Sequence, residues 1–122
     1  MKAYRLPEII YQLAIVARGC RGDLTDNEAL VATCQRMAEA TGLRVVAQTV
    51  HAYVPHGVSV ALLLAQSHIV VSTWPEHRLA TVDLAACDTS VMALQTAWRE
   101  LEAYLQPAAI EPSERSIALR LE

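Results

Sequence analysis

Phenylalanine is absent from this chain of 122 residues, and glycine occurs only 4 times. No segment is of low complexity and no internal repeat stands out. Positive charge is short as well: 10 Lys and Arg against 13 Asp and Glu leave a net charge of -3, with no basic stripe. That removes the electrostatic basis for binding nucleic acid. The 3 cysteines, Cys20, Cys34 and Cys87, lack CxxC or Cys/His ligand spacing. They support neither a disulfide framework nor a zinc site, so no metal is expected. Cysteine usage of this kind fits a reducing cytoplasm. The most apolar run, Val58–Ala65, is far too short to span a membrane. The stretch after Met1–Leu6 carries Pro7, Glu8 and Gln12 and no clear cleavage site, so no secretory signal is expected.

What is present is apolar. A hydrophobic content of 53% with 19% charged residues describes a compact globule, with enough left over for an apolar interface. The length allows one domain, 1–122, and a real core.

Apolar residues at 9, 10, 13, 15 and 16 predict a first strand over Glu8–Val16. Thr25 and Glu28 have the spacing of a capping box, and Leu30, Val31, Cys34, Met37 and Ala38 recur at helical intervals. With Gly42 as a stop, a helix is expected over Asp26–Thr41. Strands are expected over Leu43–Val54, Val58–Ala65, His68–Trp74 and Leu79–Ala86, with Pro55-His56-Gly57 a turn. Val58–Ala65 reads as buried on both faces or nearly so. Asp88 or Ser90 is expected to cap a second helix, whose core stripe is Val91, Leu94, Trp98, Leu101 and Leu105. Pro107 and Pro112 read as a linker, and Ser116–Leu121 as a short edge strand or a tail.

The order β-α-β-β-β-β-α-(β), joined by short hairpins, predicts an α+β fold: a two-layer sandwich of antiparallel sheet with both helices on one face. The other sheet face is then apolar and uncovered. A second copy is the simplest cover, so a homodimer joined through its sheets is expected.

The densest signal is Gln66-Ser67-His68-Ile69-Val70-Val71-Ser72-Thr73-Trp74-Pro75-Glu76. A serine directly after a long apolar run has little packing value there. Together with His51, Tyr53, Pro55-His56-Gly57-Val58-Ser59, Asp83 and Cys87, this block resembles the prokaryotic S-adenosylmethionine decarboxylases, which are pyruvoyl-dependent. The resemblance covers residues 49–87 most clearly and continues weakly over the first strand and helix. It implies the same two-layer sandwich dimer. It further implies self-cleavage between Gln66 and Ser67, turning residue 67 into a covalent pyruvoyl group. That ketone takes up a substrate amine as a Schiff base and serves as electron sink for decarboxylation, in polyamine biosynthesis.

Carried over by position, Ser59 assists processing and Cys87 is the acid that reprotonates the substrate carbon. Tyr53 stacks on adenine, Glu76 accepts hydrogen bonds from ribose hydroxyls, and Trp74 shapes the pocket. By residue type alone, Cys87 reads equally as an inert thiol and Trp74 as core or interface. The chain departs from the family at Ser72, where the family has histidine, and at Gln66, where it usually has Glu. It often has glycine where this chain has Arg78 and Asp88. Three readings stay open. The first is an S-adenosylmethionine decarboxylase in which Ser72, His56 or His68 does the histidine's work. The second is a decarboxylase shifted to a basic amino acid such as ornithine or arginine. The third is an uncut paralogue acting as a regulatory partner.

Overall fold

The first strand, β1, runs over Ile9–Arg18 and carries its buried residues at alternate positions: Leu13, Ile15 and Ala17. That period is what a strand covered on one face requires. The structure, a computed structural model, describes residues 9–87 and 91–118.

Helix α1 spans Asn27–Thr41 and buries Leu30, Thr33, Cys34, Met37 and Ala38. Its start differs from the expected capping box. The cap is Asp26, whose side chain accepts from the backbone N–H of Ala29 at 3.0 Å. Thr25 is drawn away: its N–H and hydroxyl both donate to the Asp23 carboxylate. Those bonds hold the Asp23 carboxyl below its ordinary range. Aspartate caps as well as serine or threonine, so the cap falls one residue later than the motif suggested. Gly42 ends the helix at φ 74, the left-handed stop expected of it.

Then come β2 (Val45–Ala52), β3 (Val58–Leu64), β4 (Ser67–Trp74) and β5 (Leu79–Cys87). β4 and β5 are joined not by a tight hairpin but by a single 3-10 turn, Pro75–His77. Helix α2 covers Val91–Leu105, with Leu94, Trp98, Leu101 and Leu105 in the core. The caps expected at Asp88 or Ser90 lie outside the described residues.

The last strand, β6, runs over Ala109–Ala118 and pairs along the whole of β1. Pro112 is therefore not linker but strand, opposite Ile15. β6 is an edge with a neighbour on one side only, which is where a sheet tolerates proline. Of the expected Ser116–Leu121 strand, residues 116–118 are the end of this longer element, and residues 119–121 lie outside the described residues.

All neighbours are antiparallel, in the order β2-β3-β4-β5-β1-β6. The helices pack on each other and on one sheet face, giving the two-layer α+β sandwich expected. The burial of β3 corrects one expectation. Val58, Val60, Leu62 and Leu64 are buried beneath the helices, but Leu63 between them is 54% exposed. The open face carries successive cross-strand rows. One is Ser59, Ser72, Thr81 and Val16; the next is Ala61, Val70, Asp83 and Ala14; a third is Leu63, His68, Ala85 and Gln12. Small and apolar side chains prevail there, with His68 Nε2 3.7 Å from the Asp83 carboxylate.

Candidate active site

Gly57 shapes one end of the open face. It sits at φ 109, and a Cβ there would stand 3.1 Å from the Thr73 carbonyl oxygen, so glycine is demanded twice. The Tyr53 N–H donates to the Gly57 carbonyl at 2.9 Å, closing the turn that carries Val54, Pro55 and His56. The Val58 N–H donates to the Thr73 hydroxyl at 3.0 Å, tying that turn to the end of β4.

These constraints fold a cavity of about 510 Å³, lined by Tyr53, His56, Ser59, Ser72, Trp74 and Glu76 among others. Five expected site residues thus line one cavity: Tyr53, Ser59, Ser72, Trp74 and Glu76. Tyr53 is 47% exposed and Trp74 39%, so neither is buried in the core. Three hydroxyls are linked inside it. Tyr53 Oη lies 3.0 Å from Ser59 Oγ, and Ser59 Oγ lies 2.8 Å from Ser72 Oγ. The His51 ring meets the Tyr53 ring edge-on, with centroids 4.7 Å apart at 70°. His56, expected in a turn and one candidate for the missing histidine's work, has its Nε2 3.4 Å from a Glu76 carboxylate oxygen.

Ser67 and Cys87 are elsewhere. Ser67 opens β4 and pairs with Leu64 and Ala86; Cys87 follows Ala86 at the end of β5. Five residues of extended chain separate Ser67 from Ser72, about 16 Å at roughly 3.3 Å per residue. Alternation also puts Ser67 on the helix side, where it borders a small cleft with Leu43, Ala93 and Leu94. Its hydroxyl donates to the Ala65 carbonyl at 3.4 Å. Gln66, just before it, has φ 59, a left-handed backbone uncommon for a residue with a side chain.

The other two cysteines are set apart by burial. It pushes the Cys34 thiol up to about 12 and raises that of Cys20 as well, keeping both in the unreactive thiol form. Cys87 is only half-buried. Among the described residues no group of three His, Cys, Asp or Glu side chains is arranged to hold a metal ion. No described helix is long and apolar enough to cross a membrane.

A family model described as S-adenosylmethionine decarboxylase matches residues 11–116. The chain belongs to the S-adenosylmethionine decarboxylase family. An S-adenosylmethionine decarboxylase proenzyme of Clostridium botulinum is 35% identical over 78 residues, 63% of this chain and 67% of that one. One from Thermosipho melanesiensis is 36% identical over 73 residues, 59% of this chain and 56% of its own. The crystal structure of the adenosylmethionine decarboxylase of Aquifex aeolicus superposes with a TM-score of 0.84. It covers 96% of this chain and 97% of that one at 24% identity, a likeness of fold. The matched span takes in both the cavity and the Gln66–Ser67 turn, so both halves of the candidate site fall inside the S-adenosylmethionine decarboxylase domain.

Proposed function

We propose that this chain cuts itself between Gln66 and Ser67 and then decarboxylates S-adenosylmethionine for polyamine synthesis, in the cytoplasm. Each complete site is built from two copies. The observation that carries this reading is the split site: a ligand-sized cavity at one end of β3 and β4, and Ser67 with Cys87 at the other. One copy alone keeps these groups about 16 Å apart along an extended strand. Two copies stacked through their open faces about a two-fold axis set the Ser67 end of one over the Ser72 end of the other. Sheets of small side chains stack closely, about 10 Å apart.

Self-cleavage begins when Ser67 Oγ adds to the Gln66 carbonyl carbon. The C–N bond then breaks, the serine nitrogen takes the hydroxyl proton, and an ester remains. Loss of the Ser67 Cα proton expels the Gln66 carboxylate and leaves a dehydroalanine. Water enters, ammonia leaves, and residue 67 ends as a ketone heading fragment 67–122. Residue 67 suits that end: it opens a strand, is half-buried, and lies across from Ala86, beside Cys87. A ketone there supplies the electron sink for the pair left by departing CO₂.

The chain's own side chains do the rest. Tyr53 and Trp74 hold the adenine between ring faces. Glu76 accepts from the ribose hydroxyls, with His56 Nε2 3.4 Å from the same carboxylate. Cys87 returns a proton to the carbon that lost CO₂. The test is the intact mass of the denatured protein, followed by CO₂ release from carboxyl-labelled S-adenosylmethionine. Two fragments dividing at Gln66–Ser67, the second blocked at its N-terminus, support the reading. A single 13.4 kDa chain that stays whole on long incubation points instead to a regulatory partner.

A further inference from the structure

We propose that Glu111 and Arg115 of β6 pair reciprocally with Arg115 and Glu111 of a second copy, and that these two pairs decide which end of one sheet lies over which end of the other. The proposal rests on the two-copy reading above and adds what sets the register of the stack.

Three observations lead to it. The first is where the charges stand. The rows of the open face run on through β1 into β6: Val16 pairs with Glu111, Ala14 with Ser113 and Gln12 with Arg115. Glu111, Ser113 and Arg115 also border one shallow groove of about 440 Å³ together with Val70 and Asp83, so they face the same side of the sheet. The second is what is left unused. Glu111 keeps 59% of its side chain exposed despite its 2.6 Å ion pair with Arg18, and a carboxylate has room for a second guanidinium. Arg115 is exposed and, among the described residues, has no ion partner in its own copy. The third is symmetry. A sheet face can cover itself about a two-fold axis that runs either across the strands or along them. With the axis across the strands, each strand lies over its own copy and the rows invert about the Val70 row. Glu111 then stands over the partner's Arg115 and Arg115 over the partner's Glu111, with Ser113 at the axis. With the axis along the strands, the rows keep their level and β6 lies over β2. Arg115 then meets Ala47, level with Leu63 and His68, and finds no carboxylate.

Sheets stacked about 10 Å apart leave a gap that a glutamate and an arginine close by reaching toward each other. The planar fork of arginine suits a carboxylate in two contacts, which fixes direction as well as strength. Asp83, in the middle row, faces its own counterpart in this stack, with His68 Nε2 3.7 Å from each carboxylate. That like-charge approach opposes association, and two attractive pairs per dimer stand against it. Charge pairs across an interface set register and exclude wrong partners more than they add affinity. Here the excluded partner is the same face turned the other way, which would strip water from Arg115 and give it nothing in return. The stack the pairs select is the one that lays the Ser67 end of one copy over the Ser72 end of the other.

The experiment uses two charge-reversed chains, Arg115→Glu and Glu111→Arg, one of them labelled with nitrogen-15, and native mass spectrometry at low ionic strength. Each chain alone sets like charge over like charge and is expected to dimerise about tenfold more weakly than the parent. Mixed, the two chains set opposite charges over each other at both places. Mixed dimers are therefore expected at close to the parent's affinity, and well above the half share that random pairing gives. Effects inside one copy, such as loss of the Arg18–Glu111 pair, count equally in mixed and unmixed dimers and produce no preference. Added salt should erase the preference, since exposed charges are screened. The proposal is overturned if mixed dimers form at the random share, or if Arg115→Glu dimerises as tightly as the parent. Either result with a dimeric parent leaves the two-copy reading standing. A parent that stays monomeric at the highest concentration tested overturns both.

Discussion

Gln66→Gly should stabilise the uncut chain, although glycine usually weakens a fold. The magnitude follows from the turn. Ala65 and Gln66 form a two-residue connection closed by the Leu64–Ser67 pair, and Gln66 sits at φ 59. The turn is also tethered, because the Ala65 N–H donates to the Arg44 carbonyl at 3.0 Å. A residue with a Cβ in the left-handed region costs roughly 1–2 kcal/mol. Glycine removes that cost but gives the unfolded chain more freedom, worth roughly 0.5–1 kcal/mol. The net gain is about 0.5–1 kcal/mol, or about 2–4 °C in Tm for a domain of this size. The assay is thermal unfolding in a Ser67→Ala background, where cleavage cannot intervene. Gln66→Asn, which tolerates this region better than Gln, should fall between. A Tm that is unchanged or lower with glycine refutes the reasoning, because the strain would then be absent or relieved by the turn's own motion. With Ser67 intact, the same substitution should slow the cut a few-fold, since breaking the Gln66–Ser67 bond no longer releases strain.

Val70→Lys puts a charge in the middle row of the open sheet face; sedimentation should report monomers and self-cleavage should cease together, and a cut monomer would disprove the two-copy site. Glu76→Gln should leave cleavage unaltered and weaken S-adenosylmethionine binding about tenfold or more, read by calorimetry, because ribose hydroxyls lose a charged acceptor. Burial raises the Cys34 thiol to about 12 from an ordinary 9.0, so its contribution to stability is whole below pH 9 and is lost as pH climbs toward 12. At pH 10 that loss is on the order of 1 kcal/mol; Cys34→Ala should flatten the alkaline limb of a Tm–pH curve, and an unaltered limb would refute the assignment.

Helix α1 could be read almost to the residue, because its ends are local chemistry: an aspartate that caps and a glycine that turns left-handed. The strands were legible for the same reason, their alternation being a property of a few neighbouring residues. What escaped the sequence was everything decided by a partner strand. Pro112 looks like a breaker until β6 is seen to be an edge with no ladder bond to lose on its outer side. Gln66 gives no sign of a left-handed backbone, since neither Gln nor its neighbours mark such a turn. The block from Gln66 to Glu76 reads as one site because it is one stretch of sequence, yet an extended strand sends its two ends to opposite ends of the sheet.

The misread burial of β3 bears on that separation. An aliphatic run such as Val58–Leu64 reads the same whether its second face lies under a helix or awaits another sheet, because both demand apolar residues. Here Leu63 and its neighbours Ala61 and Val70 are left uncovered on the face that also carries Ser59, Ser72 and Trp74. An apolar face that no described element of the chain covers is the surface that the proposed two-copy arrangement would bury, so the burial of β3 and the reach of the proposed site are one question.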